Sequence, residues 1–227
     1  MSDSERIASA YRNLDARARS RWDRTNAGNQ AILAERRRWT RDLLDKAGLL
    51  PLTGKHVLEV GSGRGGELAW LRELGAANED LVGVDLLPDR VAAARRNFPG
   101  IRFDHGNAER LAFPDESFDL VLALTVFSSI PSDAMARNVA AEIARVLKPG
   151  GAMLWYDVRY DSASNPNVKA VPAARIRSLF PSLRGDLHSV TLLPPLARRL
   201  GPLSRAYGAL AAAPPLRSHL IGLLRKS

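Results

Sequence analysis

The sequence predicts an α/β fold in which helices cover both faces of a mostly parallel sheet. Between residues 56 and 158, short apolar runs alternate with amphipathic stretches, an order of strand, turn and helix that is typical of such folds. The run Phe118–Leu124 is almost continuously apolar, as expected of a strand buried on both faces. A glycine-rich turn, Gly61-Ser-Gly-Arg-Gly65, follows the first apolar run. In an open parallel sheet, ligands bind beyond the carboxyl ends of the strands, where this turn lies.

Each predicted element is bounded by residues that start or stop regular structure. Residues 1–50 are predicted as amphipathic helices that end at Gly48 and Pro51. Gly75 ends the helix after the first strand, and Pro99 stops the helix after the second strand. The predicted strands are 57–60, 81–84, 101–103, 118–124, 152–158, 187–193 and 219–224. The predicted helices of the remaining chain are 67–74, 90–97, 134–147, 172–180 and 196–213.

The chain length fits one α/β domain with an appendage. With 227 residues, of which 45% are apolar and 25% charged, the chain can bury a core of ordinary size. We predict a helical lid over residues 1–50 and a core over residues 51–160. Residues 161–227 are predicted as the C-terminal part of the same domain, with a basic helical insertion.

The composition excludes several classes of site and targeting segment. The lack of cysteine excludes a disulfide framework, a cysteine nucleophile and a thiolate metal site. No cluster of His, Asp or Glu has the spacing of metal ligands, so we expect no metal. No apolar segment follows the first residues and no apolar run approaches about 20 residues, which predicts neither a signal peptide nor a membrane span. We therefore expect a cytoplasmic protein, with peripheral membrane contact left open.

The excess positive charge lies in the last third of the chain. The formal net charge is +9, and residues 159–227 hold eleven Lys and Arg against Asp161 and Asp186. This asymmetry indicates an anionic partner or an arginine-rich soluble tail. The basic segment 196–213 can cap an acceptor pocket, lie on an anionic membrane or bind nucleic acid. We favour the cap, with the membrane second, and disfavour nucleic acid because Tyr207 is the only aromatic residue of the segment.

The glycine turn by itself fits two cofactors. Glycines let the backbone turn sharply and approach a ligand without a Cβ in the way. Gly61, Gly63 and Gly66 satisfy the dinucleotide template, and Asp85 would bind a ribose in either case. Glu59 favours S-adenosylmethionine (SAM), because a buried carboxylate needs a cationic or hydrogen-bonding partner and would repel a pyrophosphate. An NAD-dependent enzyme is therefore disfavoured.

Five segments together resemble the class I SAM-dependent methyltransferases, in the order that this family shows. They cover about residues 55–158 and are most similar to the quinone-biosynthesis group of the family. The segments are Val57-Leu-Glu-Val-Gly-Ser-Gly-Arg-Gly65, Val82-Gly-Val-Asp85, residues 105–115, residues 118–124 and Val146-Leu-Lys-Pro-Gly-Gly151. The resemblance implies a Rossmann-like class I fold with a seven-stranded sheet, and SAM as the cofactor.

The resemblance also implies which residues hold the cofactor. Glu59 and the glycine turn would surround the methionine end, Asp85 would bind the ribose, and Leu86 would lie against the adenine. The complete predicted set is Glu59, Gly61, Ser62, Gly63, Gly65, Asp85, Leu86, Asn107, Ala108, Glu109, Leu124 and Thr125.

Two positions depart from the family pattern. Asn107 stands where the adenine-side loop usually carries Asp, and its side-chain oxygen would still accept a hydrogen bond from the adenine amino group. Ser128 and Ser129 stand where paired histidines often follow strand four, so a histidine base is not available there.

The acceptor side has no compelling catalytic residue. Asp157 at the end of strand five and His219 in the final strand are candidate bases, each with a structural role as the alternative. The residues predicted to close over the ligands or to contact an acceptor are Trp22, Asn29, Arg159 and Tyr160.

The predicted reaction is methyl transfer from SAM to a small or lipid-like acceptor, at oxygen. A nucleic-acid methyltransferase and a non-catalytic SAM-binding protein are the alternatives. Residues 125–128 read Thr-Val-Phe-Ser instead of an Asn-Pro-Pro-Tyr type motif, which disfavours the first. The intact glycine turn and Asp85 disfavour the second. The sequence predicts neither the acceptor's identity nor the oligomeric state.

Overall fold

The strands form one mixed sheet. The computed structural model describes residues 3–17, 23, 25–130, 132–161 and 168–227, with side chains for all of these except 12–17 and 202. The strands are β1 (Val57–Val60), β2 (Leu81–Asp85), β3 (Arg102–His105), β4 (Phe118–Leu124), β5 (Leu147–Val158), β6 (Leu183–Arg184), β7 (Leu187–Leu192) and β8 (Arg217–Lys226). Their order is β3-β2-β1-β4-β5-β8-β6, and β7 also pairs with β8. The first five strands are parallel and β8 is antiparallel to β5, which confirms the predicted, mostly parallel sheet.

The sheet has eight strands where seven were predicted, and the difference lies at one edge. β6 and β7 both pair with the outer edge of β8, at opposite ends, so two short strands fill one position. Between them, Gly185 passes so close to β8 that an added Cβ would lie 2.2 Å from the Leu223 carbonyl oxygen. The predicted strand over residues 187–193 therefore accounts for β7 alone.

Helices cover both faces of the sheet. They are α1 (Asp3–Arg17), α2 (Ala27–Lys46), α3 (Gly66–Trp70), α4 (Pro88–Asn97), α5 (Asp133–Val146), α6 (Ala173–Leu179), α7 (Pro194–Arg199) and α8 (Tyr207–Ala211). One core cluster joins α5 and α6 to the sheet, and a second joins α2, α3 and α4 to the opposite face. In β4, Val121 and Ala123 belong to the first cluster and Leu120 and Leu122 to the second, as the two-residue period of a strand requires. No described helix is long and apolar enough to cross a membrane.

The basic segment is broken into pieces, although one helix was predicted over residues 196–213. α7 is followed by a 3-10 helix, Gly201–Ala206, and then by α8. Gly201 has φ 49°, outside the helical region, and the next residue is a proline, which lacks the amide hydrogen for a helical hydrogen bond. Ala197 and Tyr207 pack with Leu192 and with Ala31 and Ile32 of α2 in a third core cluster.

The start of α2 fixes the N-terminal helices against the C-terminal part of the chain. Asn26 caps the helix, because its side-chain oxygen accepts a hydrogen bond from the Asn29 amide at 3.1 Å. Gly28 in the first turn packs against α7, where an added Cβ would lie 2.1 Å from the Ala197 carbonyl oxygen. A glycine at position 28 is therefore required for this approach of the two helices.

We predict that Gly28→Ala lowers the free energy of unfolding by about 1–3 kcal/mol, because the new methyl group overpacks the contact between α2 and α7. Gly208→Ala is the control, since Gly208 lies in α8 with no atom within 4 Å of an added Cβ. It should leave the stability unchanged or raise it by up to about 1 kcal/mol. Urea denaturation of both variants checks the prediction, and equal stabilities would contradict it.

Candidate functional site

A large cavity lies at the carboxyl ends of the parallel strands. Its volume is about 1820 Å³, and residues at or just after the ends of β1, β2, β4 and β5 line it together with the start of β8. α1 and α2 cover it, with Ile7 and Tyr11 from the first and Leu33 and Arg36 from the second. The cavity is therefore enclosed by the sheet edge on one side and by the N-terminal helices on the other.

The turn after β1 is shaped by hydrogen bonds to β2 and by glycines. The amides of Gly61 and Ser62 both donate to the Val84 carbonyl oxygen, at 2.8 and 3.0 Å. Gly61 has φ 70°, a left-handed conformation that favours glycine. Gly65, also left-handed, lies so close to Phe103 that an added Cβ would come within 2.5 Å of its ring. The turn thus brings bare backbone to the cavity.

Asp85 ties the turn after β1 to the turn after β2. Its Oδ2 accepts the Gly63 amide hydrogen at 2.7 Å, and its Oδ1 accepts the Leu87 amide hydrogen at 2.9 Å. The residue is buried and lines the cavity. A carboxylate held by two backbone amides has a fixed direction, and each oxygen keeps a lone pair for a ligand hydroxyl.

Glu59 lies in β1 behind the turn and has an unsatisfied oxygen. The side chain is buried, and Oε2 has no hydrogen-bond partner among the described residues. Burial raises the pKa of this carboxyl well above its usual range, and the nearby Glu67 raises it further, whereas Arg36 lowers it. A buried carboxyl group with an unpaired oxygen beside the turn would be stabilised in its charged form by a cationic group bound nearby. The methionine end of SAM carries such a group, so the residues present fit this cofactor.

The loop after β3 forms one end of the cavity. Asn107 and Ala108 line it, and Leu86 lies on the same wall. The Asn107 side-chain oxygen accepts the Glu109 amide hydrogen at 2.9 Å, so one of its lone pairs is already occupied. The Glu109 carboxylate contacts Asn138 at 3.0 Å and is not on the wall.

The opposite end of the cavity is built by β5 and β8. Tyr156 and His219 line it, and their rings stack with centroids 4.6 Å apart. The Tyr156 hydroxyl contacts the Thr191 hydroxyl at 2.9 Å, and His219 Nδ1 lies 2.8 Å from the Ser218 hydroxyl. The Arg36 guanidinium stands over the Tyr156 ring, 5.2 Å from its centroid. Polar groups with fixed directions therefore meet here, far along the sheet edge from Asp85.

The chain is similar in sequence to a methyltransferase domain and to curated methyltransferases. The family profile described as "Methyltransferase domain" matches residues 57–151. Phthiotriol/phenolphthiotriol dimycocerosates methyltransferase 1 of Mycobacterium ulcerans is 39% identical over 109 residues, which are 48% of this chain and 39% of the relative. Fatty-acid O-methyltransferase of Mycolicibacterium smegmatis is 40% identical over 109 residues, which are 47% of this chain and 38% of the relative.

A solved structure extends the likeness beyond the matched segment. It is a complex between the Haloferax volcanii Trm112 methyltransferase activator and a methyltransferase. The likeness has a TM-score of 0.66 at 20% identity, and it covers 97% of this chain and 97% of the matched chain. Residues 57–151 of the chain therefore match a methyltransferase domain, and the chain shares the fold of the solved structure. The shared fold confirms the predicted fold class, and the matched domain implies SAM as its cofactor. The chain spans less than half the length of the curated relatives it matches.

Most of the predicted cofactor residues of this methyltransferase domain meet in the cavity, but some do not. The predicted residues that line the cavity are Gly61, Gly63, Asp85, Leu86, Asn107, Ala108, Leu124, Thr125, Asn29, Tyr160 and His219. Those that lie off the wall are Glu59, Ser62, Gly65, Glu109, Asp157 and Arg159. Ser62 is directed towards Gly83 of β2, where its Oγ would lie 2.7 Å from an added Cβ. Trp22 lies outside the described residues.

Asp157, a candidate base in the sequence, has a structural role. It is buried and accepts the Ser128 amide hydrogen at 3.0 Å and that of Val158 at 2.8 Å. Burial raises the pKa of this carboxyl to about 6. The side chain therefore holds the segment after β4 against β5. Among the other acceptor-side candidates, the Arg159 guanidinium lies 4.5 Å from the centroid of the Tyr160 ring, which is 44% exposed.

Two residues that the sequence interpretation did not assign complete the cavity. Tyr11 of α1 contacts the Ser129 hydroxyl at 2.7 Å, and Arg90 stands 4.3 Å from the centroid of its ring. Arg36 of α2 pairs with Glu67 at 3.0 Å. Tyr11 is the only aromatic residue of α1, and this feature of the sequence could have indicated its role in the cavity. No group of three metal ligands occurs among residues 3–17, 23, 25–130, 132–161 and 168–227.

The neutral state of His219 predicts a pH dependence of stability. Burial, and then the charge of Arg36, lowers the pKa of this imidazole to about 3, while the stacked Tyr156 stays a neutral phenol because burial raises its pKa to about 12. Because the folded-state pKa lies below the value of about 6.5 in the unfolded chain, the unfolded state takes up the proton first as the pH falls. Stability from this group is complete above pH 6.5 and declines as the pH falls towards 3.

We predict that protonation of His219 in the unfolded chain lowers the free energy of unfolding of the wild type by about 2.5 kcal/mol between pH 7 and pH 4.5. His219→Gln cannot be protonated in this range and should lack that part of the acid sensitivity. Urea denaturation of both proteins at the two pH values measures the difference, in which other titrating groups cancel. Identical pH dependences would contradict a buried, neutral imidazole.

Proposed function

We propose that this chain transfers a methyl group from SAM to a small or lipid-like acceptor, with oxygen as the acceptor atom. The observation that carries the proposal is the Asp85 carboxylate, buried at the carboxyl end of β2, held by two amides and facing a cavity of about 1820 Å³. Pockets for a single drug-sized ligand measure about 300–1,000 Å³. The cavity therefore has room for a cofactor and an acceptor together.

In the proposed complex, the cofactor lies across the carboxyl ends of β1, β2 and β4. Asp85 binds the ribose hydroxyls through its remaining lone pairs. Glu59 acts from behind the turn, where a cationic methionine end would stabilise its charged form. The other proposed contacts are Gly61, Gly63, Leu86, Asn107, Ala108, Leu124 and Thr125. Ser62, Gly65 and Glu109, which lie off the cavity wall, support the shape of the two loops instead.

The chain does not need to activate the methyl group itself. SAM, when bound, supplies a methyl group that its sulfonium has already activated. The residues of the chain must hold the acceptor in line with that group and exclude water. α1 and α2 suit this task, because Ile7, Tyr11 and Leu33 cover the cavity opposite the sheet.

The lining of the far end supports an apolar acceptor. Many of its side chains are hydrocarbon, and they come from α2, β5 and the segment around α7: Ile32, Leu33, Val158, Leu193, Pro194 and Pro195. One relative is named for a fatty acid, and another for phthiotriol and phenolphthiotriol dimycocerosates. The apolar lining and these names both support a lipid-like acceptor.

We further infer that the basic segment touches an anionic membrane surface. Leu203 in its 3-10 helix is 70% exposed, and Arg199 and Arg205 on either side are exposed as well. An exposed leucine among arginines suits the interface of an anionic bilayer. Arg198 of the same segment and Pro194 just before it line the cavity, so a lipid leaving the bilayer would enter beside them.

We predict that Asp85→Asn weakens SAM binding at least about tenfold in calorimetry, because charge-assisted hydrogen bonds to the ribose are lost. Asp104→Asn is the control, since Asp104 on neighbouring β3 pairs with Arg102 at 2.7 Å, away from the cavity. It should leave the affinity unchanged. Since Asp85 also holds two turns, the melting temperature is recorded alongside. Unchanged affinity in Asp85→Asn, or binding of NAD with no binding of SAM or its demethylated product, would refute the cofactor proposal.

We predict that the chain floats with liposomes containing anionic phospholipid and not with neutral liposomes. Salt at 0.5 M should release the chain, because it shortens the Debye length to roughly 4 Å. Leu203→Asp should reduce flotation several-fold, because it removes the exposed apolar contact and adds a negative charge. Glu79→Gln, far along the sheet from the basic segment, is the control. Flotation that ignores lipid charge would remove the membrane contact and leave methyl transfer to a lipid-like acceptor standing.

A further inference from the structure

The hydrogen bonds of Ser218 and His219 determine which nitrogen of the imidazole carries the hydrogen. The Ser218 hydroxyl has one hydrogen, and it donates this hydrogen to the Thr191 carbonyl oxygen at 3.0 Å, which can only accept. His219 Nδ1 lies 2.8 Å from the same hydroxyl oxygen. Since the hydroxyl hydrogen is already used, Nδ1 must carry the hydrogen of this second bond. The neutral imidazole is then protonated at Nδ1 and has its lone pair on Nε2.

The position of His219 brings this lone pair to the cavity. His219 pairs with Val158 at the end of β5, and Tyr156 pairs with Leu124 at the end of β4. The residue is therefore two strands along the sheet edge from Thr125, which the cofactor proposal uses. The side chain is 94% buried yet lines the cavity, and Nε2 is on the ring edge that is farther from the backbone.

The surroundings hold the ring in this orientation. The Tyr156 ring stacks on it with an interplanar angle of 11°, and the Tyr156 hydroxyl is fixed by Thr191. Ser218 fixes Nδ1, as described. A flip of the ring would keep this stacking but would lose the hydrogen bond between Nδ1 and Ser218, so Nε2 keeps its direction.

We propose that His219 is a catalytic residue that binds the hydroxyl group of an alcohol or phenol acceptor and takes its proton. This inference rests on the proposed methyl transfer and narrows its acceptor class. Nε2 accepts a hydrogen bond from the acceptor hydroxyl. With its hydrogen held by Nε2, the acceptor oxygen can direct a lone pair towards the methyl carbon. A carboxylate has no hydrogen to donate and would place its own lone pairs against that of Nε2. The site therefore selects a hydroxyl over a carboxylic acid.

The step balances in atoms and charge. The acceptor oxygen forms a bond to the methyl carbon as the bond between that carbon and sulfur breaks, and the electron pair of the broken bond stays on sulfur. The O–H bond breaks, and the proton passes to Nε2. The positive charge thus moves from the sulfonium to the imidazole, so the total charge of the site does not change. Because this imidazolium is a strong acid in its buried position, it passes the proton to water as the products leave.

The first test reads the tautomer without any turnover. In the full chain labelled with ¹⁵N at pH 7, long-range ¹H–¹⁵N spectra should show His219 protonated at Nδ1 and bare at Nε2, with His219→Gln used to assign the signals. Ser218→Ala should change this pattern, because Nδ1 loses its acceptor. A His219 signal protonated at Nε2, or at both nitrogens, would overturn the proposal.

The second test uses two acceptors of equal chain length, hexadecan-1-ol and hexadecanoate, in detergent with labelled SAM. We expect transfer to the alcohol, at least about tenfold slower in His219→Gln, because a base with a low pKa contributes less than one whose pKa is near the operating pH. The affinity of His219→Gln for SAM should stay within twofold. Its amide oxygen still accepts a hydrogen bond but takes no proton, so kcat should fall and KM change little, whereas His219→Ala should lose both.

His188→Gln is the matched control, because His188 lies on the neighbouring strand β7, stacks on Trp39 and is not on the cavity wall. It should retain wild-type transfer. Preference for hexadecanoate, with equal rates in the wild type and His219→Gln, would overturn the role of His219. Transfer to neither probe by a chain that binds SAM would count against the proposed lipid-like acceptor, and the tautomer would still decide the assignment of His219.

Discussion

The whole cavity depends on one carboxylate that joins two turns. Asp85 accepts amide hydrogens from Gly63 and Leu87, and so fixes the backbone that follows β1 to the backbone that follows β2. Both turns leave the sheet at the same edge because the strands are parallel. With the turns held, α3 and α4 begin at defined places and cover one face of the sheet. Asp85 thus adds a side-chain link to the backbone hydrogen bonds that join the turn after β1 to β2.

Much of the fold followed from local patterns, and the misses have physical reasons. The apolar run of β4 and the helix-ending Gly75 and Pro99 act within a few residues, so a pattern in the sequence suffices to predict them. The division of the edge strand at Gly185 depends instead on the approach of β8, whose residues are distant in sequence. The break at Gly201 was visible as a Gly-Pro pair but was outweighed by the helical period around it.

The candidate site was predictable on its cofactor side and much less so on the other. Gly61, Gly63 and Asp85 lie in contiguous motifs, and all three line the cavity. Tyr11 and Arg36 belong to helices that have no motif, and they reach the cavity only through tertiary packing. Asp157 resembled a candidate base in the sequence, yet its oxygens are taken by backbone amides, and only the structure reveals such occupancy. Cofactor recognition is therefore local in sequence, whereas acceptor recognition is assembled from distant segments.

One half-buried carboxylate couples the N-terminal and C-terminal parts of the chain. Glu35 of α2 accepts the Tyr207 hydroxyl hydrogen at 2.7 Å and the Thr191 amide hydrogen at 3.0 Å. The N-terminal helix and the C-terminal segment therefore share one polar group, and neither satisfies its own part alone. A chimera that takes its C-terminal segment from a relative without a matching hydroxyl would leave this carboxylate with a bond unmade. Exchanging one end of the chain alone therefore carries an energetic cost that exchanging both ends together avoids.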